Sequence, residues 1–248
     1  MTQLRLNQVS FAAGSDTKKG TPSAGYQLLR NISFEVNQGD RIAIVGASGS
    51  GKTTLLRLLN RLAEPSAGLI EFEGKPYREI PVLQLRQQIL FVAQEPKLFG
   101  MTVREALSYP LKLRNLKEID QRVSEGIERM NIPRDWLDRT ELELSTGERQ
   151  WIAIARVLIC QPAVLLLDEP IANLDANRSE TLLKILQQVN CTVLAVTHQI
   201  EWAERFGERV LQMQRGQLVR DERRDRVNWQ DVRRSIAQIE AEEAAEWD

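Results

Sequence analysis

The chain has 248 residues, 42% of them hydrophobic and 27% charged, and its 33 Lys and Arg against 34 Asp and Glu leave a net charge of −1. That content supports one sizeable core with room for a smaller subdomain, and so even a balance gives no electrostatic case for nucleic acid as a partner. Cys160 and Cys191 both sit in apolar surroundings and read as buried free thiols of a reducing compartment rather than a disulfide.

Met1 to Val9 alternates polar and apolar residues and lacks the apolar run of a signal peptide. No stretch approaches the roughly 20 apolar residues that cross a bilayer, so work at a membrane requires another chain to span it. Leu4 to Phe11 reads as a strand by its partial alternation. Gly14 to Gly25, rich in Gly, Ser, Thr and Lys, reads as a flexible loop. Ile32 to Val36 is a second alternating strand, and Asn37-Gln38-Gly39-Asp40 a turn. Arg41 to Val45 is nearly continuous in apolar residues, as expected of a strand covered on both faces. A helix follows, with Leu55, Leu56, Leu58, Leu59 and Leu62 predicted to pack inward, and Glu64 to Gly68 ends it.

The middle, from Glu95 to Thr140, carries helix-like patterns with charged faces, punctuated by Pro110 and Pro133, and reads as a helical insertion. Then come a helix over 150–160, a buried strand over 163–167, a helix over 178–189 and a strand over 192–197. Alternating strands and helices predict an α/β fold with a mostly parallel sheet. From Arg220 onward the chain is highly charged. Asp231 to Glu246 reads as an exposed helix that frays towards its end.

Gly46-Ala47-Ser48-Gly49-Ser50-Gly51-Lys52-Thr53 fits the P-loop pattern, with a buried strand before it and a leucine-rich helix after it. Glycines let the backbone turn tightly and bring N–H groups against phosphate oxygens. The helix start offers free N–H groups, Thr54 among them, and a positive dipole end to the same anion. Lys52 is placed to reach the β- and γ-phosphates of ATP, and the Thr53 hydroxyl to bind Mg²⁺. Val164 to Pro170 is an apolar strand ending in two acids. It sets Asp168 at the C-terminal sheet edge, where α/β folds bind ligands and where it suits Mg²⁺. Glu169 points elsewhere and suits the polarisation of an attacking water.

With these motifs the chain resembles the nucleotide-binding subunits of ABC transporters over roughly Leu4 to Val219. The diagnostic stretch is Leu144-Ser145-Thr146-Gly147-Glu148-Arg149-Gln150, similar to the family's Leu-Ser-Gly-Gly-Gln signature. It departs at Thr146, where glycine is usual and where a Cβ is expected to restrict the turn. The resemblance implies a P-loop NTPase fold: a RecA-like core, an antiparallel β subdomain and an inserted helical subdomain at about 95–150. The nucleotide-binding domain would cover 1–220 and a charged helical tail 221–248. It implies that Ser145 and Gly147 face the γ-phosphate held by a second copy or paralogue. It also implies that Gln94 senses Mg²⁺ and water, that Asp175 lies in the loop crossing the dimer interface, and that His198, the only histidine, contacts the γ-phosphate. The family's adenine-stacking aromatic falls at Ala13, with Tyr26 or Phe11 as substitutes.

The implied protein is an ATPase that clamps MgATP between two cassettes and drives an integral membrane permease from the cytoplasmic face. Leu98 to Glu105 resembles bacterial iron exporter ATPases. A repair or translation ATPase and a regulatory cassette that hydrolyses poorly are the alternatives. A P-loop kinase or GTPase lacks the 144–150 stretch ahead of Asp168-Glu169.

Overall fold

The structure, a computed structural model, describes residues 1–14 and 26–245. The expected loop therefore lies outside the described residues apart from Gly14. Two sheets form the frame. The first is antiparallel, in the order β2 (Tyr26–Asn37), β1 (Thr2–Ala13), β4 (Ala67–Phe72), β5 (Lys75–Pro76). The second has the order β10 (Gln217–Arg223), β9 (Arg209–Gln214), β3 (Arg41–Val45), β8 (Thr192–Val196), β7 (Val164–Asp168), β6 (Ile89–Val92). Every pairing in it is parallel except β9 with β10.

Apolar alternation in the central strands feeds two cores. Ile42, Ile44, Val164, Leu166, Leu194 and Val196 point into one, shared with the antiparallel sheet and α1 (Lys52–Leu59). Ala43, Val45, Leu165, Leu167, Val193 and Ala195 point into the other. That second core is completed by α5 (Thr146–Ile159), α6 (Ala176–Gln188), α7 (Ile200–Phe206) and the helical insertion. The insertion is α3 (Val103–Leu113) and α4 (Ile119–Arg129). A short α2 (Val82–Gln88) precedes β6. Both cysteines are buried free thiols, and burial pushes the Cys191 thiol up to about 11, which keeps it unreactive.

Three local expectations are corrected, and one hairpin is added. Helix α1 stops at Leu59, because Asn60 caps it and Arg61 turns left-handed at φ 56°; Leu62 beyond it is exposed. Pro110 lies inside α3 rather than ending it. Strands β9 and β10 form an antiparallel hairpin in a stretch for which no element was expected. The C-terminal helix, α8 (Trp229–Ala245), is docked rather than free: Val232 and Ile239 are buried and Ile236 packs against the core.

Candidate functional site

The loop between β3 and α1 wraps tightly because its glycines allow it. A Cβ on Gly46 would fall 2.2 Å from the Met213 carbonyl oxygen. Gly51, at φ 99°, caps α1, whose free N–H groups face the loop. The Lys52 ammonium is folded back into the loop, donating to the Gly46 carbonyl at 2.8 Å, the Ala47 carbonyl at 2.6 Å and Ser50 Oγ at 3.3 Å. Those are neutral acceptors, and anionic phosphate oxygens are stronger partners for the same charge.

Strand β7 delivers both acids. Asp168 is buried at its end and accepts a hydrogen bond from Thr53 Oγ1 at 3.1 Å. Burial raises its pKa, with the Thr53 bond opposing. Thr53 Oγ1 and Asp168 Oδ1 are hard oxygen donors side by side, which fits a Mg²⁺ that takes one or two protein ligands and completes its shell with phosphate and water. Glu169 adopts φ 49°, a left-handed conformation costly for a side-chain-bearing residue. Its N–H donates to the Val196 carbonyl at 3.0 Å, which pins the turn to the end of β8. His198 follows β8, and its Nδ1 lies 2.9 Å from Glu169 Oε2.

A cavity of about 430 Å³ joins these groups. Ser48, Gly49, Ser50, Gly51, Lys52, Thr53 and Thr54 form its floor, and Gln94, Glu169 and His198 stand along its wall. Three further lining residues were not foreseen: Leu28 of β2, Val196 and Glu240 of α8. Gly46, Ala47 and Asp168 are not part of the lining; Ala47 and Asp168 are buried. Neither Phe11 nor Tyr26 lines the cavity. Phe11 packs in the core beneath the antiparallel sheet, while Tyr26, exposed, pairs with Ala13 across the β1–β2 ladder.

Ser145, Gly147 and Asp175 lie outside this cavity. Ser145 caps α5 in a reciprocal box: Glu148 N–H donates to Ser145 Oγ at 3.2 Å, and Ser145 N–H donates to Glu148 Oε2 at 2.7 Å. Thr146 is the first residue of the helix and has no positive φ, so its Cβ does not restrict the turn. Gly147 is the position where no Cβ fits, since one would lie 2.3 Å from the Asn173 carbonyl oxygen. Asp175 caps α6 by accepting from Arg178 N–H at 2.9 Å. The helix start and the 172–175 loop thus touch each other within one chain.

Two expected results follow. Gly147→Ala displaces the Asn173 backbone and lowers unfolding free energy by about 1–3 kcal/mol, measured in urea. Asp168→Asn raises the melting temperature of the metal-free protein at pH 7. A buried carboxyl with a raised folded pKa destabilises the fold above that pKa, and asparagine removes the charge. The advantage shrinks as pH falls through the raised folded value towards the ordinary carboxylate value. Melting curves across pH check it.

Comparison with known proteins gives a consistent picture. The ABC transporter family model matches residues 29–172. The uncharacterized ABC transporter ATP-binding protein YfiB of Bacillus subtilis is 36% identical over 206 residues, 80% of this chain but 35% of its own length. The energy-coupling factor transporter ATP-binding protein EcfA1 of Enterococcus faecalis is 34% identical over 226 residues, 88% of this chain and 78% of its own. A solved dimeric ATP-binding cassette in a post-hydrolysis state, bound to ADP and Pi, superposes with a TM-score of 0.79 at 26% identity, covering 89% of this chain and 98% of its own. The chain spans about a third or less of the length of some curated relatives it matches, 35% of YfiB and 27% of a putative ABC transporter ATP-binding protein of Bifidobacterium longum, and 78% of EcfA1.

Proposed function

The chain belongs to the ABC transporter family, and from that premise we propose that it is the ATP-hydrolysing subunit driving a separate membrane permease. The observation that carries the reading is the Glu169–His198 contact of 2.9 Å in the same cavity as Lys52. A carboxylate, an imidazole and an anion cradle in one cavity are what phosphoryl transfer to water requires.

In this reading Lys52 exchanges its loop carbonyls for the β- and γ-phosphate oxygens. Thr53, Asp168 and Gln94 would hold Mg²⁺, which when bound supplies charge neutralisation at the phosphates. Glu169 accepts the proton of the attacking water as the water oxygen bonds to the γ-phosphorus. The bond from the γ-phosphorus to the bridging oxygen breaks, and ADP leaves. His198, braced by Glu169, donates towards the γ-phosphate. Ser145, Gly147 and Asp175, outside their own chain's cavity, complete the cavity of a second copy or paralogue.

Among the described residues no helix is long and apolar enough to cross a membrane. In the transporter-subunit reading the protein lies on the cytoplasmic face, peripheral to a permease that holds the cargo pocket. A metal-ion cargo rests on the Leu98 to Glu105 resemblance alone. The experiment is MgATP turnover of the purified protein, alone and with its membrane subunit. Turnover stimulated by that subunit is the expected result. Binding without turnover in both cases overturns the reading in favour of a regulatory cassette.

A further inference from the structure

We propose that Glu240 holds the ribose of the bound nucleotide, its carboxylate accepting hydrogen bonds from the sugar hydroxyls. This rests on the ATP reading above. Ion pairs tether the docked helix α8 at two places, and between them Gln212 Nε2 donates to Ser235 Oγ at 3.1 Å. Arg233 pairs with Glu201 at 3.2 Å and Glu204 at 3.3 Å on α7, the helix that starts just after His198. Further along, Glu242 pairs with Arg215 at 3.0 Å, in the turn between β9 and β10. From Arg233 to Glu240 the helix rises about 10 Å.

That hairpin turn sits against β2. Arg30 N–H donates to the Gly216 carbonyl at 2.8 Å, and a Cβ on Gly216 would lie 2.4 Å from the Leu28 carbonyl oxygen. Leu28 and Glu240 line the same cavity. Glu240 therefore enters the wall from the Leu28 side, while Gln94, Glu169 and His198 mark the hydrolytic end. With residues 48–54 taking the phosphates, the nucleoside is what remains for Leu28 and Glu240 to meet.

The chemistry selects the sugar. A carboxylate only accepts, so phosphate oxygens repel it and vicinal hydroxyls suit its two oxygens. Acidic residues hold ribose in dinucleotide-binding folds in this way. The Glu240 carboxylate has no hydrogen bond or ion pair among the described residues, whereas that of Glu242 is paired.

The test measures binding of ADP and 2′,3′-dideoxy-ADP to the full chain by calorimetry. Wild type is expected to prefer ADP by about tenfold or more. Glu240→Ala binds both ligands alike, at the dideoxy level, and Glu240→Gln, isosteric, keeps part of the preference. A wild-type ratio in Glu240→Ala, or tighter binding of both ligands, overturns the proposal and leaves the ATP reading standing. Wild type binding neither ligand overturns both.

Discussion

Glu169→Gln is expected to lower ATP turnover by about 10²–10⁴-fold while leaving MgATP binding intact. The amide keeps the size of the side chain and can still meet His198, now 2.9 Å from Glu169 Oε2. What it loses is the capacity to take a proton from water. The left-handed turn at φ 49° is a backbone property held by the Val196 carbonyl, and glutamine tolerates it no worse than glutamate. The variant should therefore fold, bind and stall. Single-turnover phosphate release checks it, and wild-type turnover would remove Glu169 from the role of base.

Lys52→Ala should act one step earlier. It removes the one ammonium in the loop and the bonds to Gly46, Ala47 and Ser50 that shape it. Charge-assisted bonds to phosphate are each worth about 1.5–3 kcal/mol. MgATP affinity should fall by about one to two orders of magnitude, and turnover with it. Calorimetry with ADP and with ATP separates the β- from the γ-phosphate contribution. Unchanged affinity for both would deny Lys52 the phosphate.

Contiguous motifs made the glycine-rich loop and the two acids beside it legible in sequence. Gly46 to Thr53 is a single run whose chemistry dictates its residue types, and Asp168-Glu169 closes an unbroken apolar strand. The parallel core was legible for the same reason: its strands are buried on both faces and read as apolar runs. The rest of the cavity lining was not. Leu28, Val196 and Glu240 lie far apart in the chain and meet only because β2, β8 and α8 pack around one loop. Helix α8 left a visible trace, the spacing of Val232, Ile236 and Ile239 on one helical face. Its surrounding charges masked it, since a helix needs few apolar residues to dock. Leu62 misled in the opposite sense: it continues the leucine spacing of α1 although Asn60 has already ended the helix.

Ser145, Gly147 and Asp175 were predicted from resemblance, and folding alone does not bring them to the cavity. Their proposed role demands a second chain, and so does the account as a whole. The direct measurement is the mass in solution of Glu169→Gln, by light scattering, with and without MgATP. The account predicts monomer without nucleotide, dimer with it, and monomer again when Lys52→Ala is added. A protein that stays monomeric with saturating MgATP, alone and with its membrane subunit present, contradicts the clamp.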